Sequence, residues 1–103
     1  MAVSTILQQG DHDRLALAIG RELRRRRRKA HLTQQAVGGP FTRAFVCAVE
    51  RGRALPSILA LSILLDQLDT HLDEFFRGVQ EDMTIRYTAF HGDRQEAPSR
   101  RRR

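Results

Sequence analysis

The chain has 103 residues, 41% of them apolar, with 18 Lys and Arg against 12 Asp and Glu, so it holds material for one small core and a formal charge of +6. Its single cysteine, Cys47, has no internal disulfide partner and its 4 histidines lack ligand spacing, which argues against a stapled scaffold, a zinc module or any other metal site. No apolar run approaches the roughly 20 residues of a membrane span, and residues 1–10 lack the pattern of a secretory signal, so a cytoplasmic protein without a membrane partner is expected.

Residues 1–12 are expected to be a flexible lead-in. From about 13 to 30 the spacing predicts an amphipathic helix, because Leu15, Ile19 and Leu23 recur every four residues with Ala18 beside the first pair. Asp11 or Asp13 can cap it. Positions 24–28 are all arginine and wrap every side of such a helix, so some of these side chains, Arg26 foremost, must lay their stems along the core and reach water with their guanidinium groups. Residues 21–53 carry ten basic side chains against Glu22 and Glu50, a local net charge of +8. Such a run marks either a polyanion-binding face or simply a solvated helix.

Thr33 is placed to cap a second helix that Gly38-Gly39-Pro40 must end within two turns. Thr42 caps a third, in which Phe45, Val46 and Val49 have helical spacing and Gly52 supplies a left-handed stop. Pro56-Ser57 opens a fourth with Ile58, Leu61, Leu64, Leu65 and Leu68 as its inward stripe. After a break at Asp69-Thr70, residues 71–76 read as a short fifth helix contributing Leu72, Phe75 and Phe76, and Gly78 closes the helical domain, 13–78. Residues 79–91 form a strand-like extension, since 83–90 alternate with a period of two. Residues 92–103, with four terminal arginines and almost nothing to bury, are expected to be disordered. Eight acidic side chains against three basic ones give residues 66–96 a net charge of −5, so the two halves of the chain differ in sign. The fold class is therefore all-α: a compact five-helix bundle with a short C-terminal strand and a basic tail.

The order cap, helix, turn, cap, helix across residues 33–52 is that of a helix-turn-helix, in which the second helix enters the major groove. Through Leu32-Thr33-Gln34, Thr42-Arg43, Val49-Glu50-Arg51-Gly52, Pro56-Ser57 and Leu72-Asp73-Glu74-Phe75-Phe76, the chain resembles the Xre-type, phage-repressor-like helix-turn-helix family over residues 19–76. That resemblance implies a five-helix DNA-binding bundle. It places Gln34 against a phosphate and the recognition helix, Thr42 on a phosphate, and Arg43, Ala44, Cys47 and Ala48 in the groove. Arg43 is the long donor there and its fork suits guanine O6 and N7. Arg51 and Arg53, with Arg27 and Arg28 of the arginine run, are expected on phosphates, and Glu50 in a structural role. The chain differs from the family pattern in being two residues shorter between Val37 and Thr42. Arg26 stands where an apolar residue is usual, Asp69 replaces a glycine, and Leu59 and Ile63 occupy outward positions on helix four.

The expected function is sequence-specific binding of double-stranded DNA by a transcriptional regulator acting as a repressor. The alternative is a protein-interaction or antitoxin-like adaptor on the same fold. RNA binding through the arginines is a third reading, for which stacking aromatics are few. No catalytic motif is present, so no enzyme activity and no cofactor are expected. Because one helix-turn-helix reads few base pairs, a homodimer is expected, with Leu59, Ile63, Ile85 and Tyr87 as its contacts or as those of another protein partner.

Overall fold

A computed structural model describes residues 9–90, with side chains for 10–86. Five helices make up its regular structure: α1 (Gln9–Lys29), α2 (Gln34–Gly38), α3 (Arg43–Glu50), α4 (Ile58–Gln67) and α5 (Leu72–Phe90). The all-helical expectation holds over these residues. α1 packs on α5 and α3, and α2 packs on α3 and α4. Ala18, Ile19 and Leu23 of α1 meet Val37, Val46, Val49, Leu61, Leu64, Leu65, Phe75 and Val79 in one buried core.

Local chemistry sets the helix limits. The hydroxyls of Thr33, Thr42 and Ser57 accept from the backbone N–H groups of Ala36, Phe45 and Ala60, satisfying donors that α2, α3 and α4 leave open at their N-termini. Three helices end by one device, in which the residue past the helix turns left-handed and the chain bonds back to the last turn. His31 (φ 60°), Gly52 (φ 77°) and Asp69 (φ 53°) hold that position. The accompanying bonds run from Leu32 N to Arg27 O, Arg53 N to Ala48 O and Thr70 N to Leu65 O, at 3.1, 2.9 and 3.0 Å. Asp69 thus fills a position that suits glycine because its short side chain tolerates positive φ.

Four sequence expectations are corrected. α1 begins at Gln9, so residues 9–12 belong to the helix and not to a flexible lead-in; Asp11 lies in its first turn, where a carboxylate suits the helix dipole, and pairs with Arg14. Residues 1–8 and the tail assigned to 92–103 lie outside the described residues. On α4, Ile58 is 64% exposed instead of facing inward: it is the first residue of the helix, and burial begins one turn on at Leu61.

The larger corrections concern the C-terminal segment. α5 does not stop at Gly78, and residues 83–90 are helical, not a strand. The decisive pattern is Phe75, Val79 and Met83, spaced by four, which faces the core. The alternation through Ile85 carries no burial, since Ile85 is 67% exposed. Gly78 sits inside the helix because a side chain there would collide with the Glu22 carboxylate.

That carboxylate belongs to a polar seam along which α1 and α5 run antiparallel. Glu22, 3% exposed, accepts from Arg25 Nη2 at 2.5 Å and Arg26 Nε at 2.6 Å, and Arg26 reaches on to Glu74. Asp82 accepts from Arg21 Nε and Nη2 at 3.1 and 2.7 Å, and from Arg86 Nε at 3.3 Å. Burial pushes the Asp82 carboxyl up, but the hydrogen bonds and charge of Arg21, helped by Arg86, outweigh it and hold its pKa below the ordinary carboxylate value. A lowered native pKa adds stability that is present above the unfolded carboxylate value and is lost as pH falls through the native one. Asp82→Asn is therefore expected to cost about 1 kcal/mol at neutral pH and to lose progressively less as pH falls through the acid range. Urea titrations at neutral and acid pH check this, and an unchanged cost down to strongly acid pH contradicts it.

Candidate nucleic-acid interface

The cations of residues 21–53 fall into two sets. In one, Arg27 turns inward from α1: its Nε and Nη2 donate to Glu50 Oε2 and Oε1 at 2.6 and 3.0 Å, and its Nη1 donates to the Leu32 carbonyl at 2.8 Å. Hydrogen bonds to Glu50 raise the Arg27 pKa against the opposing effect of burial, and the charge of Glu50 adds to them. Arg21 pairs with Asp82 of α5, Arg26 with Glu22 and Glu74, and Arg25, though exposed, with Glu22 of its own helix. In the other set, Arg24, Arg28, Lys29, Arg43, Arg51 and Arg53 are all exposed, and none makes an ion pair among the described residues.

Arg27 is anchored on Glu50, the buried last residue of α3. Its Oε1 also accepts from Gln34 Nε2 at 3.1 Å. A carboxylate only accepts, so the Gln34 amide must turn its nitrogen to Glu50 and its oxygen away. That oxygen accepts from Arg43 Nη1 at 3.1 Å. A chain of hydrogen bonds thus ties α1 through the end of α3 and the start of α2 to the first residue of α3. The Nε and Nη2 groups of Arg43 make no hydrogen bond among the described residues.

α3 turns Val46 and Val49 into the core, leaves Arg43 and Ala44 exposed, and half-buries Cys47 and Ala48. Phe45 lies to the side, its ring 5.0 Å from that of Phe41. Thr42 accepts at the cap, which leaves its own O–H free to donate outward. The structure therefore brings Gln34, Thr42, Arg43, Ala44, Cys47 and Ala48 together on and around α3, with Arg51 and Arg53 at its far end. Arg28 is available at the end of α1, whereas Arg27 is occupied inside. The sequence offers the whole run 21–29 as phosphate contacts without separating the unpaired Arg24, Arg28 and Lys29 from the paired Arg21, Arg25, Arg26 and Arg27. The signal for Arg27 was present, since the stripe Ile19, Leu23 continues by four to position 27 and points it inward.

Leu59 is 71% exposed and Ile63 is half-buried one turn on, both on α4. Ile85 projects from α5, and α4 and α5 are not among the main packed pairs. The side chain of Tyr87 lies outside the described residues. Among the described residues no group of His, Cys, Asp and Glu could hold a metal ion, and no helix is long and apolar enough to cross a membrane.

Comparison with family models, with curated proteins and with solved structures gives no match in any of the three.

Proposed function

We propose that this protein is a sequence-specific, duplex-DNA-binding regulator of transcription of the Xre-like helix-turn-helix kind, acting in the cytoplasm as a repressor without a cofactor. The observation that carries the reading is the set of six exposed cations without ion pairs among the described residues, Arg43, Arg51 and Arg53 on and just past α3 and Arg24, Arg28 and Lys29 toward the end of α1, while the other four of the ten are paired with carboxylates. Free cations around a helix of the right size favour phosphate contacts on both sides of a groove. Arg43, steadied by Gln34, supplies base reading, and Thr42, Arg28, Arg51 and Arg53 hold the backbone.

Capture of genomic DNA on the tagged protein tests the reading, and sharp, palindromic peaks are expected. Diffuse background only would remove it. On the best site, Arg43→Ala is expected to weaken binding by about 1–3 kcal/mol while hardly changing affinity for random duplex. Equal losses on both would make Arg43 a phosphate contact.

Palindromic sites require two copies, and the exposed Leu59 favours a second reading in which this surface holds a protein, either another copy or an adaptor's partner. A dimer in solution that Leu59→Glu converts to a folded monomer, seen by light scattering, is the expected result. A monomeric wild type shifts the surface to a different protein partner.

A further inference from the structure

With Val46, Val49 and Glu50 turned inward, the outward arc of α3 runs through Arg43, Cys47, Arg51, Ala44 and Ala48, at about 3.6 residues per turn. Between the two arginines this arc offers almost nothing that hydrogen-bonds. Ala44 and Ala48 end in methyl groups, Cys47 in a weakly donating thiol, and the backbone of the helix is bonded within itself. A base edge presenting an amino group or a ring nitrogen to these three would lose water and gain no partner. The one apolar group in the major groove is the C5 methyl of thymine, and small apolar side chains are what it contacts favourably. Their shortness also lets the helix approach the base edges closely. From Arg43 to Ala48 the helix advances about 7.5 Å, or roughly two base steps at 3.4 Å.

Charge commits the occupant to a polyanion, because Arg24, Arg28 and Lys29 on α1 and Arg51 and Arg53 beyond α3 are exposed without carboxylate partners. The hydrogen-bond pattern on Arg43 commits one base. Glu50 fixes the Gln34 amide, Gln34 holds Nη1, and Nε and Nη2 remain to donate side by side, which matches the two acceptors of guanine.

Resting on the DNA-binding reading, we propose that α3 recognises a half-site core of one guanine beside thymines, the guanine read by Arg43 and the thymine methyl groups by Ala44, Cys47 and Ala48. The methyl groups, absent from RNA uracil, make the site one for DNA.

The test selects binding sites for the full chain from random duplex DNA and then replaces thymines of the enriched core by deoxyuridine. A core containing a guanine next to thymines is expected, with affinity falling about fourfold for each core methyl removed and unchanged by the same exchange in the flanks. Replacing a core T·A pair by C·G is expected to weaken binding, and 5-methylcytosine at that position to recover part of the loss. An enriched core lacking thymine, or one indifferent to deoxyuridine, overturns this inference and leaves the DNA-binding reading standing. Retention of no duplex of any sequence removes both.

Discussion

Raising salt from 50 to 200 mM is expected to weaken binding of the protein to its DNA by about 500-fold per copy engaged. The expectation follows from the free cations. Each phosphate neutralised on duplex DNA releases condensed counterions and adds about −0.9 to the slope of log K against log salt. Arg24, Arg28, Lys29, Arg51 and Arg53 are five exposed cations without ion pairs among the described residues, so a slope of about −4.5 is expected when all five engage. Single variants separate the two sets. Arg28→Gln should make the slope shallower by about 1, whereas Arg25→Gln should leave it nearly unchanged because Arg25 is held on Glu22. Fluorescence anisotropy across a salt series measures both. A wild-type slope near zero would exclude DNA as the main partner, and equal effects of the two variants would show that the ion pairs do not divide the cations.

Glu50→Ala is expected to destabilise the fold by about 3–5 kcal/mol, since removing one partner of a buried pair leaves an uncompensated charge. Here the residue left behind is Arg27, its side chain 12% exposed, and Gln34 Nε2 loses its acceptor as well. A loss of that size is a large share of the 5–15 kcal/mol typical of a small domain, so the variant is expected to be partly unfolded at moderate temperature. Arg27→Met combined with Glu50→Leu should recover much of it, because similarly sized apolar residues remove the need to pair. Urea unfolding followed by circular dichroism gives both values. A single-variant cost below about 1 kcal/mol would show that the pair is hydrated and of little weight.

The two variants touch the same division of arginines, and the sequence shows that division only in part. Caps and stops were legible because their chemistry is local: Thr33, Thr42 and Ser57 each serve an N–H three residues on, and Gly52 and Asp69 suit left-handed turns. Glu22 could be paired with Arg25 and Arg26 from helical spacing alone. The pairing of Arg27 with Glu50 could not, as the two are 23 positions apart and meet only when α3 lies against α1. The strand expected at 83–90 failed for a related reason. Alternation and a four-residue repeat overlap in that segment, and only packing on α1 decides that Phe75, Val79 and Met83 form the operative stripe. Cap and periodicity made the limits and the buried side of α3 legible, the assignment of Arg43, Ala44, Cys47 and Ala48 to a groove came from the family resemblance alone, and the identity of the unpaired cations depended on tertiary partners.

The seam between α1 and α5 also has a consequence during synthesis of the chain. Arg21 and Asp82 are 61 positions apart, and Glu74, Gly78 and Asp82 all follow the segment that forms the outward face of α3. As the chain emerges, α1 to α4 can meet before α5 exists. In that interval Arg26 keeps Glu22 but Arg21 lacks Asp82, so the unfinished protein carries one further unmatched cation, adding to its attraction for any nearby nucleic acid. Arrival of α5 pairs it. α5 therefore does more than complete the core: by pairing Arg21 it withdraws a cation that the nascent chain would present, and of the ten cations in residues 21–53 only Arg24, Arg28, Lys29, Arg43, Arg51 and Arg53 are left without an ion pair among the described residues.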